Sequence, residues 1–260
     1  MKKAILSIAV GLMTITAAIC NPAAAQTKQQ AKHMEKKILF VVTSHDKKGN
    51  TGQPTGYYLA EVAHPWEVLH NAGYEIDFVS PQGGKAPVDG FNLEDPINKK
   101  FWDNATYQQK VTHTMKPSAV DASKYAAIFY AGGHGAMWDF ADNTELAGIA
   151  VKIYEAGGVV SAVCHGPAGL VNIRLSNGQY LVDGKKVNAF TNEEEAAVKL
   201  DNVVPFLLEA TLIARGGIFE KSGLWQKHVV TDQRLVTGQN PASAQAVGEA
   251  TLTALQGMGK

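Results

Sequence analysis

The chain has 260 residues, 45% of them apolar, and its 24 lysines and arginines are balanced by 24 aspartates and glutamates. That balance lacks the concentrated basic footprint a nucleic-acid partner requires. The length suits one α/β domain with a full core.

The N-terminus reads Met1-Lys2-Lys3, then runs apolar or small over residues 4–20, and Ala23-Ala24-Ala25 precedes Gln26. A basic head, an apolar stretch and a small-residue end predict a secretory signal peptide over residues 1–25. The apolar stretch is shorter than the ~20 residues of a membrane span. Ile19 is too bulky before Cys20 for lipoprotein processing. The mature protein is therefore expected to be exported, periplasmic or secreted, with no membrane partner after cleavage. Of the 2 cysteines only Cys164 survives that cut, so an exported chain in a disulfide-forming compartment keeps one thiol that has no internal partner.

Residues 26–36 are polar and predict a flexible leader; residues 37–260 follow as a single domain. The apolar run 37–43 reads as a buried parallel strand ending in a polar loop. Tyr58, Val62, Trp66 and Leu69 then recur at helical spacing, with Gly73 as the stop and Pro65 predicting a kink or a new turn after His64. Strands are expected at 75–80 and 125–130, separated by a proline-punctuated insertion with a short helix or two. After the turn 131–135 come a helix over 143–155, a strand at 159–163, and a helix over 194–214. A strand pair at 228–231 and 234–237 and a closing helix over 242–255 complete the chain. Alternating strands and helices predict a mostly parallel sheet covered on both faces.

Ligands in such a sheet sit beyond the carboxyl ends of the strands. Cys164 directly follows the strand-like 159–163 and precedes Gly166-Pro167, which suits the first turn of a helix. Such an elbow aims the thiol at unpaired N–H groups, which favours the thiolate and predicts a depressed pKa. A buried, inert cysteine is the alternative. His165 is either a packing histidine or a catalytic one; a base there needs a carboxylate behind it, and Glu193, Glu194 and Glu195 are the candidates. The turn Gly132-Gly133-His134-Gly135 has almost no side-chain bulk, so its N–H groups, with that of His165, can form an oxyanion hole. It can equally be a tight turn requiring positive φ. No histidine or cysteine spacing matches a metal site, and no glycine loop matches a phosphate-binding motif. Glu61 stands in an otherwise apolar or small stretch, either as an exposed acid or as a carboxyl aimed at the thiol.

These residues together resemble the DJ-1/PfpI superfamily, most closely its Hsp31-like branch of glutathione-independent glyoxalases, also described as holding chaperones. The resemblance runs from about residue 37 to 255. It is carried by Glu61-x-x-His64-Pro65, by residues 73–80 and by residues 131–135 leading to Asp139. Residues 157–167 around Cys164-His165-Gly166-Pro167 and residues 231–243 are its most specific parts. It implies a flavodoxin-like three-layer sandwich, similar to class I glutamine amidotransferase domains. It also implies Cys164 as nucleophile, Glu61 as the carboxyl bonded to it, His165 as elbow partner and Glu195 as third triad member. Gly133, His134 and His165 would bind the substrate oxygen. No cofactor and no metal are implied. The partner is a small reactive aldehyde, and the assembly a possible homodimer. Departures are the export signal and Gly132, where relatives can carry Ser. Three functions follow from the reading: a lyase converting methylglyoxal to lactate, another thiol hydrolase (amidase, peptidase or deglycase), or an envelope redox sensor or holding chaperone.

Overall fold

The structure, a computed structural model, describes Met1 and residues 37–257. The expected signal peptide and leader lie outside the described residues. The strands are β1 (Lys37–Val41), β2 (Tyr57–Tyr58), β3 (Glu75–Val79), β4 (Val88–Asp89), β5 (Ala127–Tyr130), β6 (Val159–Val163), β7 (Lys186–Val187), β8 (Ile218–Phe219), β9 (Val229–Asp232) and β10 (Leu235–Gly238). The helices are α1 (Leu59–Asn71), α2 (Pro96–Trp102), α3 (Ala105–Thr112), α4 (Ala136–Asp139), α5 (Thr144–Glu155), α6 (Asn192–Ala197), α7 (Leu208–Ala214) and α8 (Ala244–Gly257).

The central sheet has the order β3-β1-β5-β6-β10-β9. All neighbours in it are parallel except β10 and β9, which form an antiparallel hairpin. The alternation of each strand sends its side chains to two cores. Leu39, Val41, Ile128 and Val160 pack with Leu146, Ile149 and Ile153 of α5 on one face. Ile38, Phe40, Phe129 and Val159 pack with Val62, Trp66 and Leu69 of α1 and Val247 and Leu255 of α8 on the other. This is the flavodoxin-like α/β sandwich the sequence implied. Asn143 begins α5 in the usual way, its side-chain oxygen accepting from the Leu146 N–H at 2.9 Å.

Three expected elements take a more definite form. Pro65 lies inside α1 without ending it. It offers no N–H to the Glu61 carbonyl, yet the helix runs on to Asn71. On one flank α8 presents Gly248, where an added Cβ would lie 2.8 Å from Pro65 Cα. The helix expected over 194–214 is two short helices, α6 and α7, because Pro205 and the Asp201-Asn202 turn break it. The short helix expected after Cys164 is a five-residue 3-10 helix, Gly166–Leu170.

Candidate active site

β6 ends at Val163, and Cys164 leaves it at φ 60°, in the left-handed region a non-glycine residue seldom occupies. Two backbone bonds fix this turn. The Cys164 N–H donates to the Gly238 carbonyl at 2.8 Å, and the Cys164 carbonyl accepts from the Phe190 N–H at 2.8 Å. The thiol is 3% exposed and unpaired. A residue held at such φ costs about 1–2 kcal/mol. Cys164→Gly is therefore expected to be about 1 kcal/mol more stable than Cys164→Ala, measured by urea unfolding of the two variants; equal midpoints would remove the strain.

His165 is buried, with Nδ1 3.4 Å from Cys164 Sγ and Nε2 2.8 Å from Glu195 Oε2. The other Glu195 oxygen is 2.9 Å from His134 Nε2. One carboxylate thus serves two imidazoles whose ring centres are 4.0 Å apart. Burial raises the Glu195 pKa, but the hydrogen bonds from His134 and His165 outweigh it and bring the value to about 2. Burial, followed by the neighbouring His134, lowers His165 to about 4 despite the opposing pull of Glu195. At neutral pH the pair is an ionised carboxylate accepting from a neutral imidazole, which leaves Nδ1 as the acceptor facing the thiol.

The three glutamates of α6 have separated environments. Glu193 is paired with Lys221 at 3.2 Å near the surface. Glu194 is fully buried and closes a capping box with Thr191. Its Oε1 accepts from the Trp225 N–H at 3.0 Å, Gln239 Nε2 at 3.1 Å and Asn240 Nδ2 at 2.8 Å. Only Glu195 reaches His165.

Glu61, in the first turn of α1, is fully buried. Neither of its oxygens has a hydrogen bond of ordinary geometry. Burial raises its pKa to about 8, tempered by the nearby Cys164 thiol and the Gly132 N–H. Burial also pushes the Cys164 thiol up, and Glu61 pushes it in the same direction; the His165 N–H opposes them. The expectation of a depressed thiol pKa is therefore reversed: a five-residue 3-10 turn supplies too small a dipole to offset full burial beside an acid.

The glycine turn is dictated by close approach. A Cβ at Gly132 would strike Glu61 Oε2 and lie 2.8 Å from the His165 N, so a serine side chain has no room here. Gly133 sits at φ 102°, and a Cβ there would lie 2.7 Å from the Tyr58 N. The N–H groups of Gly133 and His165 donate to no oxygen acceptor among the described residues, and that of His165 lies against the Cys164 sulfur. Asp139 ties this turn to the loop after β1, accepting from Thr43 Oγ1 at 2.8 Å and from the Ser44 N–H at 2.7 Å. Burial raises Asp139 to about 6.

His134, His165 and Glu195 also gather ligand atoms within 4.8 Å of one another, a set able to hold a metal ion that no sequence spacing announced. Each of the two carboxylate oxygens is already bonded to one imidazole, so none of these groups is left orphaned in want of a cation. Sequence reasoning missed the aromatic wall: Phe190 lies 4.3 Å from the His165 ring and 5.7 Å from Trp225, centre to centre. Nothing in the spacing of residues 190 and 225 signals that they meet.

A thiol at positive φ sits at the carboxyl end of a parallel sheet with a histidine and a carboxylate behind it, in an α/β protein of flavodoxin-like fold. The DJ-1/PfpI family model matches residues 54–254, and the chain belongs to that family. It is 33% identical to Glyoxalase 3 of Candida albicans over 235 residues, covering 85% of this chain and 98% of the relative. It is likewise 33% identical to the glutathione-independent glyoxalase HSP31 of Saccharomyces cerevisiae over 236 residues, with 85% and 98% covered. The crystal structure of Candida albicans glyoxalase III superposes with a TM-score of 0.79 at 32% identity, covering 85% of this chain and 98% of that one. The Rapid Encystment Protein of Francisella tularensis superposes at 0.81 with 38% identity, covering 84% and 98%.

Proposed function

We propose that the protein is a glutathione-independent glyoxalase that converts methylglyoxal to lactate, with Cys164 as nucleophile. The observation that carries this reading is the fully buried Glu61 against the thiol, with a pKa near 8. A carboxyl in that state can both give and take a proton near neutral pH.

The aldehyde oxygen enters the N–H pair of Gly133 and His165. Sulfur bonds to the aldehyde carbon while the thiol proton passes to His165 Nδ1, and the imidazolium is stabilised by Glu195. Glu61 gives its proton to the oxygen, completing a hemithioacetal. As a carboxylate it then removes the hydrogen from the same carbon, giving an enediolate. It returns that proton to the adjacent carbon while the hydroxyl proton moves to the neighbouring oxygen, leaving a thioester. Water cleaves the thioester: its oxygen joins the acyl carbon, His165 returns a proton to sulfur, and Glu61 regains its own. One methylglyoxal and one water yield one lactic acid.

The test is lactate formed from methylglyoxal by wild type and Cys164→Ala, without glutathione. Turnover confined to wild type supports the reading; equal lactate in both, or none, defeats it. The basic head and apolar run before Ala25 further support export. A mature N-terminus at Gln26, read by mass spectrometry from the envelope fraction, is expected; an intact Met1 there would overturn it.

A further inference from the structure

We infer that Trp225 sets the substrate preference of this site, contacting the carbon substituent beyond the two carbonyls and favouring an aromatic one. This rests on the glyoxalase reading. Trp225 is 47% exposed, and Leu224 beside it 44%, among the few large apolar side chains left in solvent among the described residues. An exposed indole contributes little to a core, so packing does not account for a tryptophan here.

Its backbone is held at φ 61°, which a bulky residue avoids; a turn of this shape alone would be better served by glycine or asparagine. The segment is anchored by Glu194, whose fully buried carboxylate takes the Trp225 N–H at 3.0 Å and is itself fixed by Gln239 and Asn240. The adjacent residue on α6, Glu195, holds His165 at 2.8 Å. One turn of helix therefore holds the imidazole beside the thiol and the backbone of residue 225. Between them lies Phe190, 4.3 Å from His165 and 5.7 Å from Trp225, its N–H on the Cys164 carbonyl at 2.8 Å. The rings of His165, Phe190 and Trp225 step outward from the thiol. A methyl substituent is too short to use the outer ring; a phenyl substituent extends along the series and desolvates the indole face.

The experiment compares glyoxal, methylglyoxal and phenylglyoxal in wild type, Trp225→Ala, Trp225→Phe and Trp225→Gly. Trp225→Ala is expected to lower kcat/KM for phenylglyoxal about tenfold, through KM, and to change glyoxal less than twofold. Trp225→Phe should recover most of the loss. Trp225→Gly should match Trp225→Ala although it relieves the backbone. Equal losses on all three substrates, or none, overturn the inference. Binding to Cys164→Ser by calorimetry tests it without turnover. Mandelate should bind more tightly than lactate, and Trp225→Ala should erase the difference. If no aldehyde is turned over by wild type, the glyoxalase reading fails and the mandelate-to-lactate ratio still decides the role of Trp225. A change in client aggregation on Trp225→Ala with that ratio intact makes the residue a protein-docking surface and rejects the inference.

Discussion

Glu61→Gln is expected to make the protein more stable while removing about 10³-fold of its activity, the range lost with a general acid–base group. The folded pKa of Glu61 is about 8 against an ordinary 4.5. A group raised in this way favours folding most fully below pH 4.5. The contribution declines as the unfolded chain ionises and is lost once pH passes about 8. At pH 7 the mismatch costs about 3 kcal/mol. Glutamine never ionises, though its own buried amide takes back about 1 kcal/mol. The net gain, about 2 kcal/mol, corresponds to a Tm higher by about 5 °C for a chain of this size. Calorimetry of wild type and Glu61→Gln at pH 7 and pH 4.5 checks the sign: the variant should be the more stable at the first and slightly the less stable at the second. An equal or lower Tm for Glu61→Gln at pH 7 would mean that Glu61 is ionised and paired in the native state.

The same pair fixes the thiol. An ionised Glu61 beside Cys164 raises the thiol pKa, so iodoacetamide alkylation of Glu61→Gln should rise at lower pH than in wild type. In wild type the free-enzyme kcat/KM profile should be a bell. Its acid limb lies near pH 4, where His165 gains a proton and stops being a base. Its alkaline limb lies near pH 8, where Glu61 loses the proton it must donate. Glu61→Gln should lack the alkaline limb in whatever activity remains.

Much of this geometry was legible in the sequence because it depends on local pattern. Residues 159–163 predict a strand and are β6, since a run of four apolar residues and one serine bounded by Gly158 and Cys164 leaves little choice. The hairpin of β9 and β10 followed from two short β-rich runs; its turn lies one residue later than read because Gln233 adopts φ 55°. What depended on three-dimensional neighbours was not legible. Pro65 predicts a kink or a new turn, and the sequence does not reveal the glycine of α8 lying against it. Glu194 and Glu195 are adjacent and identical in chemistry. Spacing alone could not say that one would be enclosed by Gln239, Asn240 and Trp225 while the other bridged His134 and His165. The thiol pKa was misread for the same reason: an elbow motif reports the turn but says nothing of the burial around it.

Glu195→Gln is the second large effect. In wild type the ionised carboxylate accepts from His165 Nε2 at 2.8 Å, so the second ring nitrogen faces Sγ at 3.4 Å without a hydrogen and can take the thiol proton. Glutamine can present its amide N–H to Nε2. The imidazole then carries its hydrogen on Nδ1, pointing at the sulfur, and the base is lost. By analogy with serine triads whose acid is amidated, turnover should fall by about 10³–10⁴. Two charge-assisted hydrogen bonds become neutral ones, lowering stability by about 2 kcal/mol. The pH dependence separates this from simple loosening of the fold. Glu195 has its pKa depressed to about 2, so its stabilisation is present above pH 4.5 and lost as pH falls through about 2. The acid loss of stability should therefore be shallower in Glu195→Gln. Glu195 also raises the His165 pKa, so the acid limb of the residual activity should move below pH 4. A variant that turned over within tenfold of wild type, with an unmoved acid limb, would show that Glu195 neither orients nor charges the imidazole.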